Sequence, residues 1–174
     1  MSTFQFTNDT AIPEELASCV KVSVSSVFHK TFGYFPSFQD DDEETQKVGD
    51  GVVGIISYVG DITWLMMLGF PKDCATGLVT KFTGFELDYD SPDMGDVVGE
   101  MANVLAGDVV ARLREGSIKV TMSLPTIIKG SNVEPLLPRG FPSKKLVFTV
   151  PEGIVMIKIV GSKPGMSYGQ TPGT

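Results

Sequence analysis

A carboxylate and a carboxamide, Glu100 and Asn103, lie three residues apart in the segment GDVVGEMANVLAGDVVARL. In a helix of 3.6 residues per turn, both side chains fall on one line along the surface, together with Asp96, Gly107 and Arg114. The residues that flank this line are small: Gly99, Ala106 and Ala111. Such a face leaves room for the backbone or the active site of another protein to approach one acid and one amide.

Three residues of this face are poor choices for a helix interior. Gly99 and Gly107 each cost about 1 kcal/mol relative to alanine, and Asn103 has a side chain that favours caps and turns. Two interpretations follow. Either the glycines allow close packing against the first helix and Asn103 is simply solvated, or the face receives a partner.

The helix itself is predicted from Ser91, an N-cap residue, to Glu115, with Gly116 as its stop. Asp108 and Arg112 lie four residues apart near its core-facing side and are expected to form a structural pair at the rim. The side of the helix opposite the Glu100–Asn103 line is predicted to bury a stripe of apolar residues: Val97, Val98, Met101, Leu105 and Val109.

The other elements follow from periodicity and turn residues. Pro13, two glutamates and Gly33 delimit a first helix over residues 13–32. A proline opens a short helix over residues 71–82. Strands are predicted at residues 52–58 and 62–70, joined by a two-residue Gly60-Asp61 turn, at 117–124 by strict alternation, and at 146–150 and 154–160. The strand at 62–70 is apolar on both faces and is therefore placed centrally.

This order of elements predicts an α+β fold with long helices packed on an antiparallel sheet. A helix precedes a hairpin twice, which suggests a weak internal pseudo-two-fold. We expect one domain over residues 1–161 and a flexible C-terminal tail over residues 162–174, because the tail is rich in Gly, Pro and Ser.

Composition narrows the class of protein. The chain has 174 residues, of which 42% are hydrophobic and 20% charged, as in an ordinary globular domain rather than a disordered or membrane protein. Its net charge is −7, which argues against binding to nucleic-acid phosphates. The first residues have neither the basic nor the apolar part of a signal peptide, so a cytoplasmic location is expected.

A metal or cofactor of the chain's own is not expected. Cys19 and Cys74 lack metal-site spacing and are predicted to be buried free thiols. The one histidine, His29, is expected to have a packing or rim role. The acidic run at residues 40–44 could be a calcium or magnesium site, but it lacks the spacing and the glycine of a calcium loop, so a solvated loop is favoured.

With these elements in place, the chain resembles the CheC/CheX/FliY family of chemotaxis phosphatases. The family signature is a Glu-x-x-Asn pair on an exposed helix, preceded four residues earlier by Asp or Ser and followed by a proline; the matching residues are Asp96, Glu100, Asn103 and Pro125. The likeness covers roughly residues 52–126. The first helix, EELASCVKV, lacks a second copy of the pair, as in CheX-like members.

The resemblance implies a function. Members hydrolyse the aspartyl phosphate of a CheY-like response-regulator receiver, which supplies its own Mg²⁺ and lysine. Asn103 would position the attacking water and Glu100 would contact the receiver, so both are the expected catalytic residues. Asp96, Gly99 and Gly107 would belong to the partner-binding surface. A homodimer is expected, and no nucleic acid or membrane partner. The alternative is a module with the same fold that binds a receiver or a signalling partner without catalysis.

Overall fold

Three helices and seven strands make up the part of the chain that the structure, a computed structural model, describes: residues 11–39, 48–137 and 140–162. The acidic run at 40–44 and all but the first residue of the predicted tail lie outside these ranges. The elements are α1 (Glu14–Phe32), β1 (Ser37–Gln39), β2 (Gly49–Gly60), β3 (Trp64–Pro71), α2 (Lys72–Thr83), α3 (Asp93–Glu115), β4 (Val120–Met122), β5 (Thr126–Val133), β6 (Ser143–Val150) and β7 (Gly153–Gly161).

The strands form one antiparallel sheet in the order β1-β6-β7-β3-β2-β4, and β5 also pairs with β2. The β2–β3 and β6–β7 hairpins meet in the middle, where β3 pairs with β7. The predicted α+β class and the central position of β3 are confirmed. The short strand β1, which sequence patterns did not indicate, extends the sheet beyond β6.

The core lies between one face of the sheet and the helices. Alternate residues of each central strand point into it, as the two-residue period of a strand requires. On β3 these are Trp64, Met66, Leu68 and Phe70. The helices add the buried stripes of α1 and α3, which pack against each other over the sheet. No helix in the described ranges is long and apolar enough to cross a bilayer.

The helix ends agree with the sequence signals. Pro13 immediately precedes α1, and Gly33 ends it with φ at 82°, a left-handed conformation that glycine adopts without strain. At the start of α3 the Ser91 hydroxyl accepts a hydrogen bond from the backbone N–H of Asp93 at 3.2 Å. Ser91 therefore caps the start of α3, as predicted.

The predicted two-residue turn at Gly60-Asp61 is wrong. Tyr58 pairs with Trp64, so the connection is longer, and β2 continues to Gly60, where it pairs with β4. A Cβ at Gly60 would overlap the backbone carbonyl of Lys119, and the Asp61 carboxylate accepts the Lys119 backbone N–H at 2.7 Å. Both residues therefore make contacts between neighbouring segments of the sheet and do not form a tight turn.

The predicted strand at 117–124 is too long at both ends. Only Val120–Met122 is a strand, and Leu124 is 84% exposed rather than buried. Met122 lies opposite Tyr58, whereas Thr126 lies opposite Ile55. The chain between β4 and β5 therefore contains one residue more than the stretch of β2 that it faces. Pro125 lies in this bulge, a position where a strand tolerates a proline. The chain then resumes as β5, which the sequence analysis missed.

Glu152 connects the β6–β7 turn to α2 and to the segment that follows α1. Its carboxylate accepts hydrogen bonds from the Tyr34 hydroxyl and, at 2.9 Å, from the Lys81 ammonium group. Partial burial would raise the pKa of Glu152, but the bonds from Lys81 and Tyr34 outweigh that effect and the net pKa lies below its ordinary value. Glu152 therefore stabilises the fold in its charged form.

Glu152→Gln should lower the free energy of unfolding by about 1–3 kcal/mol at pH 7, because it removes a charged acceptor from two donors. Since the folded pKa is depressed, this contribution is present above the ordinary pKa of 4.5 and is lost as the pH falls below it. Urea denaturation at several pH values should show the gap between wild type and variant narrowing in that range. The control is Glu14→Gln, an exposed ion-pair partner of Lys144, which should cost less than about 1 kcal/mol. A gap independent of pH would contradict this account.

Ser23 is the one polar residue among the fully buried side chains of the described core, at 0% exposure. Its hydroxyl has no hydrogen-bond partner among the described residues. A buried hydroxyl without a partner is destabilising, because the water it gave up is not replaced.

Ser23→Ala should therefore stabilise the protein by about 1 kcal/mol beyond the gain in helix propensity. Ser18→Ala, at an exposed position of the same helix, measures that propensity gain alone. Equal midpoint shifts for the two variants in urea denaturation would show that the Ser23 hydroxyl carries no penalty.

Candidate functional site

α3 buries one side in the core and leaves the other uncovered. Val98, Met101, Leu105 and Val109 are buried and Val97 is half-buried, which confirms the predicted stripe. Asp108 and Arg112 form the predicted pair, with Arg112 Nε donating to Asp108 Oδ2 at 2.6 Å. The helix is therefore held by its apolar side and by this rim pair. Its opposite side contributes no comparable core packing or ion pair in the described part of the chain.

The predicted site residues lie on that opposite side. Asp96 and Glu100 are exposed and Asn103 is half-buried. Within residues 11–39, 48–137 and 140–162, no hydrogen bond or ion pair engages any of these three side chains. A free acid and a free amide are thus presented one turn apart. We call the line of Asp96, Glu100, Asn103 and Gly107 the motif face.

One flank of the motif face packs against β5. A Cβ at Gly99 would lie 3.7 Å from Cγ1 of Ile127, and one at Gly95 would lie 3.9 Å from its Cγ2. Both distances are ordinary van der Waals contacts, so an alanine would fit at either position and packing against β5 does not require a glycine. Ile127 of β5, rather than the first helix, lies beside Gly99. The role of Gly99 in partner binding stays a prediction.

Gly107 differs from Gly99. A Cβ at Gly107 would meet nothing within 4 Å. Packing within the described part of the chain therefore gives no reason for a glycine here, although its helix-propensity cost is still present. Close approach of a partner's backbone would give one, so its predicted role is left open by the structure.

The other flank of the motif face borders an apolar groove, which the sequence analysis missed. Val104 is 45% exposed and follows Asn103 directly, and Phe82 at the end of α2 is 37% exposed. The sequence signal that could have revealed the groove is Val104, an apolar residue on the solvent side of an amphipathic helix. We call this the α1–α3 groove; it is lined by Val27, Phe28, Thr31, Phe32, Leu68, Phe70, Phe82, Met101, Val104 and Leu105.

The remaining reactive side chains lie elsewhere. Burial raises the pKa of Cys19 to about 11 and that of Cys74 to about 12, so both thiols stay protonated at neutral pH and are poor nucleophiles. Both are free; Cys74 is buried and Cys19 is half-buried. His29 is exposed and stacks on Phe35, with ring centroids 4.1 Å apart. No group of three or more potential metal ligands occurs among the described residues.

The comparisons with known proteins agree with this geometry. A family model described as "Chemotaxis phosphatase CheX" matches residues 52–149. That span contains most of β2 and the whole of β3, α2 and α3, including the motif face. No curated protein matches the chain.

Solved structures share the fold. A chemotaxis protein CheX from Vibrio vulnificus is 21% identical with a TM-score of 0.75, covering 84% of this chain and 98% of that one. One from Desulfovibrio desulfuricans is 20% identical with a TM-score of 0.73, covering 85% and 99%. A CheX–CheY–BeF3–Mg²⁺ complex from Borrelia burgdorferi contains a chain 19% identical with a TM-score of 0.66, covering 83% and 96%.

The family model thus covers more than half of the sequence, the fold agrees with that of solved CheX proteins, and the Glu-x-x-Asn pair lies free on α3. This chain belongs to the CheX family of chemotaxis phosphatases.

Proposed function

We propose that this chain binds a phosphorylated CheY-like receiver domain and promotes hydrolysis of its aspartyl phosphate, with Asn103 positioning the attacking water. The observation that carries the proposal is the motif face: Glu100 and Asn103 are one turn apart, and neither is engaged by a described residue. In Borrelia burgdorferi a CheX protein forms a complex with CheY in the presence of BeF3 and Mg²⁺, which supports a partner of the same class.

The chemistry requires little of the phosphatase. An acyl phosphate is a labile bond, and phosphoryl transfer depends mainly on positioning and on charge stabilisation. Mg²⁺ bound to the receiver would neutralise the charge of the phosphoryl oxygens, so this chain need only hold one water in line. Asn103 suits the task because its amide oxygen accepts a hydrogen bond and carries no charge that would repel the phosphoryl group.

Glu100 would contribute differently. A carboxylate beside a phosphoryl group is repelled unless a cation lies between them. We infer that Glu100 pairs with the lysine that flanks the phosphate in the receiver and so orients the partner. Asp96, one turn before it on the same face, adds negative charge for the same contact.

A homodimer, expected from the resemblance, remains part of the proposal. So does the assignment of Mg²⁺ to the receiver rather than to this chain. The competing proposal is a module that binds the receiver through the same face and leaves the phosphate intact. The Asn103 experiment below separates the two, because only a phosphatase loses turnover when the water-positioning amide is removed.

Asn103→Ala should lower the rate of receiver dephosphorylation about 100-fold when this chain is present at a saturating concentration. The reason is that holding one water in attack geometry lowers the barrier by roughly 2.7 kcal/mol. Affinity for a beryllofluoride-activated CheY-type receiver should change much less. The rate is followed as loss of phosphate from the receiver. Coincident decay curves for wild type and variant would rule out this role for Asn103.

Glu100→Gln should show the opposite pattern. The variant keeps the shape but loses the charge, so the receiver should bind at least fivefold more weakly at low salt, and the difference should shrink as salt screens the pair. Glu115→Gln at the exposed end of α3 serves as the charge-matched control. An equal loss in both variants would assign the effect to net charge alone.

Gly107→Ala tests the partner-binding role of the open glycine. The free protein should become more stable by about 1 kcal/mol, because helix propensity improves and no described atom outside the local helix backbone lies within 4 Å of the added methyl. Receiver binding should weaken if a partner's backbone approaches there. A variant that is both more stable and unimpaired in binding would remove Gly107 from the partner surface.

A further inference from the structure

We propose that the α1–α3 groove is a second, apolar part of the receiver-docking surface, which takes an uncharged side chain of the receiver next to its phosphoaspartate. This inference rests on the proposed function and adds to it a determinant of affinity that the Glu-x-x-Asn motif does not contain. The groove lies beside the motif face, and its lining holds no charged residue.

The groove adjoins the motif face through Val104. This residue lies four positions after Glu100 and three before Gly107, so its side chain is the neighbour of both on the helix surface. A receiver that pairs with Glu100 and covers the motif face would therefore also lie over Val104.

The motif face and the groove differ in composition. The motif face offers one amide and two carboxylates, which set orientation but add little affinity when exposed. Protein interfaces draw most of their affinity from a core depleted in charge and enriched in large apolar side chains. Val104 and Phe82 supply two partly exposed apolar side chains at the rim of the groove, and Phe32 and Met101 contribute further apolar surface to its lining.

The uncharged lining of the groove restricts its occupant. Such a lining does not compensate the desolvation of a charged group, so the receiver residue that packs over it should be aliphatic or aromatic. A second copy of this chain is the competing occupant. The receiver is favoured because the groove is continuous with the face where its phosphoryl group is proposed to lie.

The experiment measures binding of a CheY-type receiver activated with beryllofluoride and Mg²⁺, using a receiver that the wild-type chain dephosphorylates. Val104→Asn should raise the Kd at least tenfold without adding charge near the phosphate, and Phe82→Asn, from the other wall, at least fivefold. Val104→Ile, which keeps an apolar surface, should stay within threefold of wild type.

The matched control is Val22→Asn, an equally exposed valine on α1, at 48% against 45% for Val104, and not part of the groove. It should bind within twofold of wild type, and thermal unfolding should show all four variants folded. Binding by Val104→Asn and Phe82→Asn equal to that of Val22→Asn would overturn the inference and leave the proposed function intact. A change in oligomeric state of Val104→Asn with unchanged Kd would also overturn it, in favour of a second copy. A wild-type chain that neither binds nor dephosphorylates any CheY-type receiver tested would overturn both proposals.

Discussion

The presentation of the motif depends on one constraint: α3 must bury an apolar stripe against the sheet while its motif face forms no hydrogen bond or ion pair with the described residues. The stripe formed by Val98, Met101, Leu105 and Val109 satisfies the first condition and fixes the rotation of the helix about its axis. Because side chains four residues apart share a face, that rotation alone directs Glu100 and Asn103 outward. The motif needs no hydrogen bonds from the rest of the chain to be presented, and none is found in the described ranges.

The two flanks of α3 then limit how the helix can move. On one side Ile127 of β5 packs beside Gly95 and Gly99, and on the other α1 packs along the helix. The contacts with β5 exist because β2 accepts two partners along one edge, β4 and then β5 after the bulge at Pro125. The irregular part of the sheet thus supports the part of the helix that carries the site.

Most of this was readable from the sequence because it follows from local signals. Helix ends were set by Pro13, Gly33 and Ser91, and the burial of α3 by its period. The failures were non-local. Gly60 and Asp61 have turn-like composition, yet their form is dictated by Lys119, far along the chain. β5 was missed because an edge strand shows little of the alternation that marks a half-buried one, and the groove because it forms only where three helices and a strand meet.

The chain carries a single Glu-x-x-Asn pair, and this limits the number of receivers that it can serve. α1 packs beside α3 over the same sheet, yet its sequence EELASCVKVSVSSVFHKTF contains no Glu-x-x-Asn pair. One chain can then serve one receiver at a time under the proposed function. Clearance of the phosphorylated signal would rise in proportion to the number of chains, and it would saturate once the concentration of activated receiver exceeds the KM.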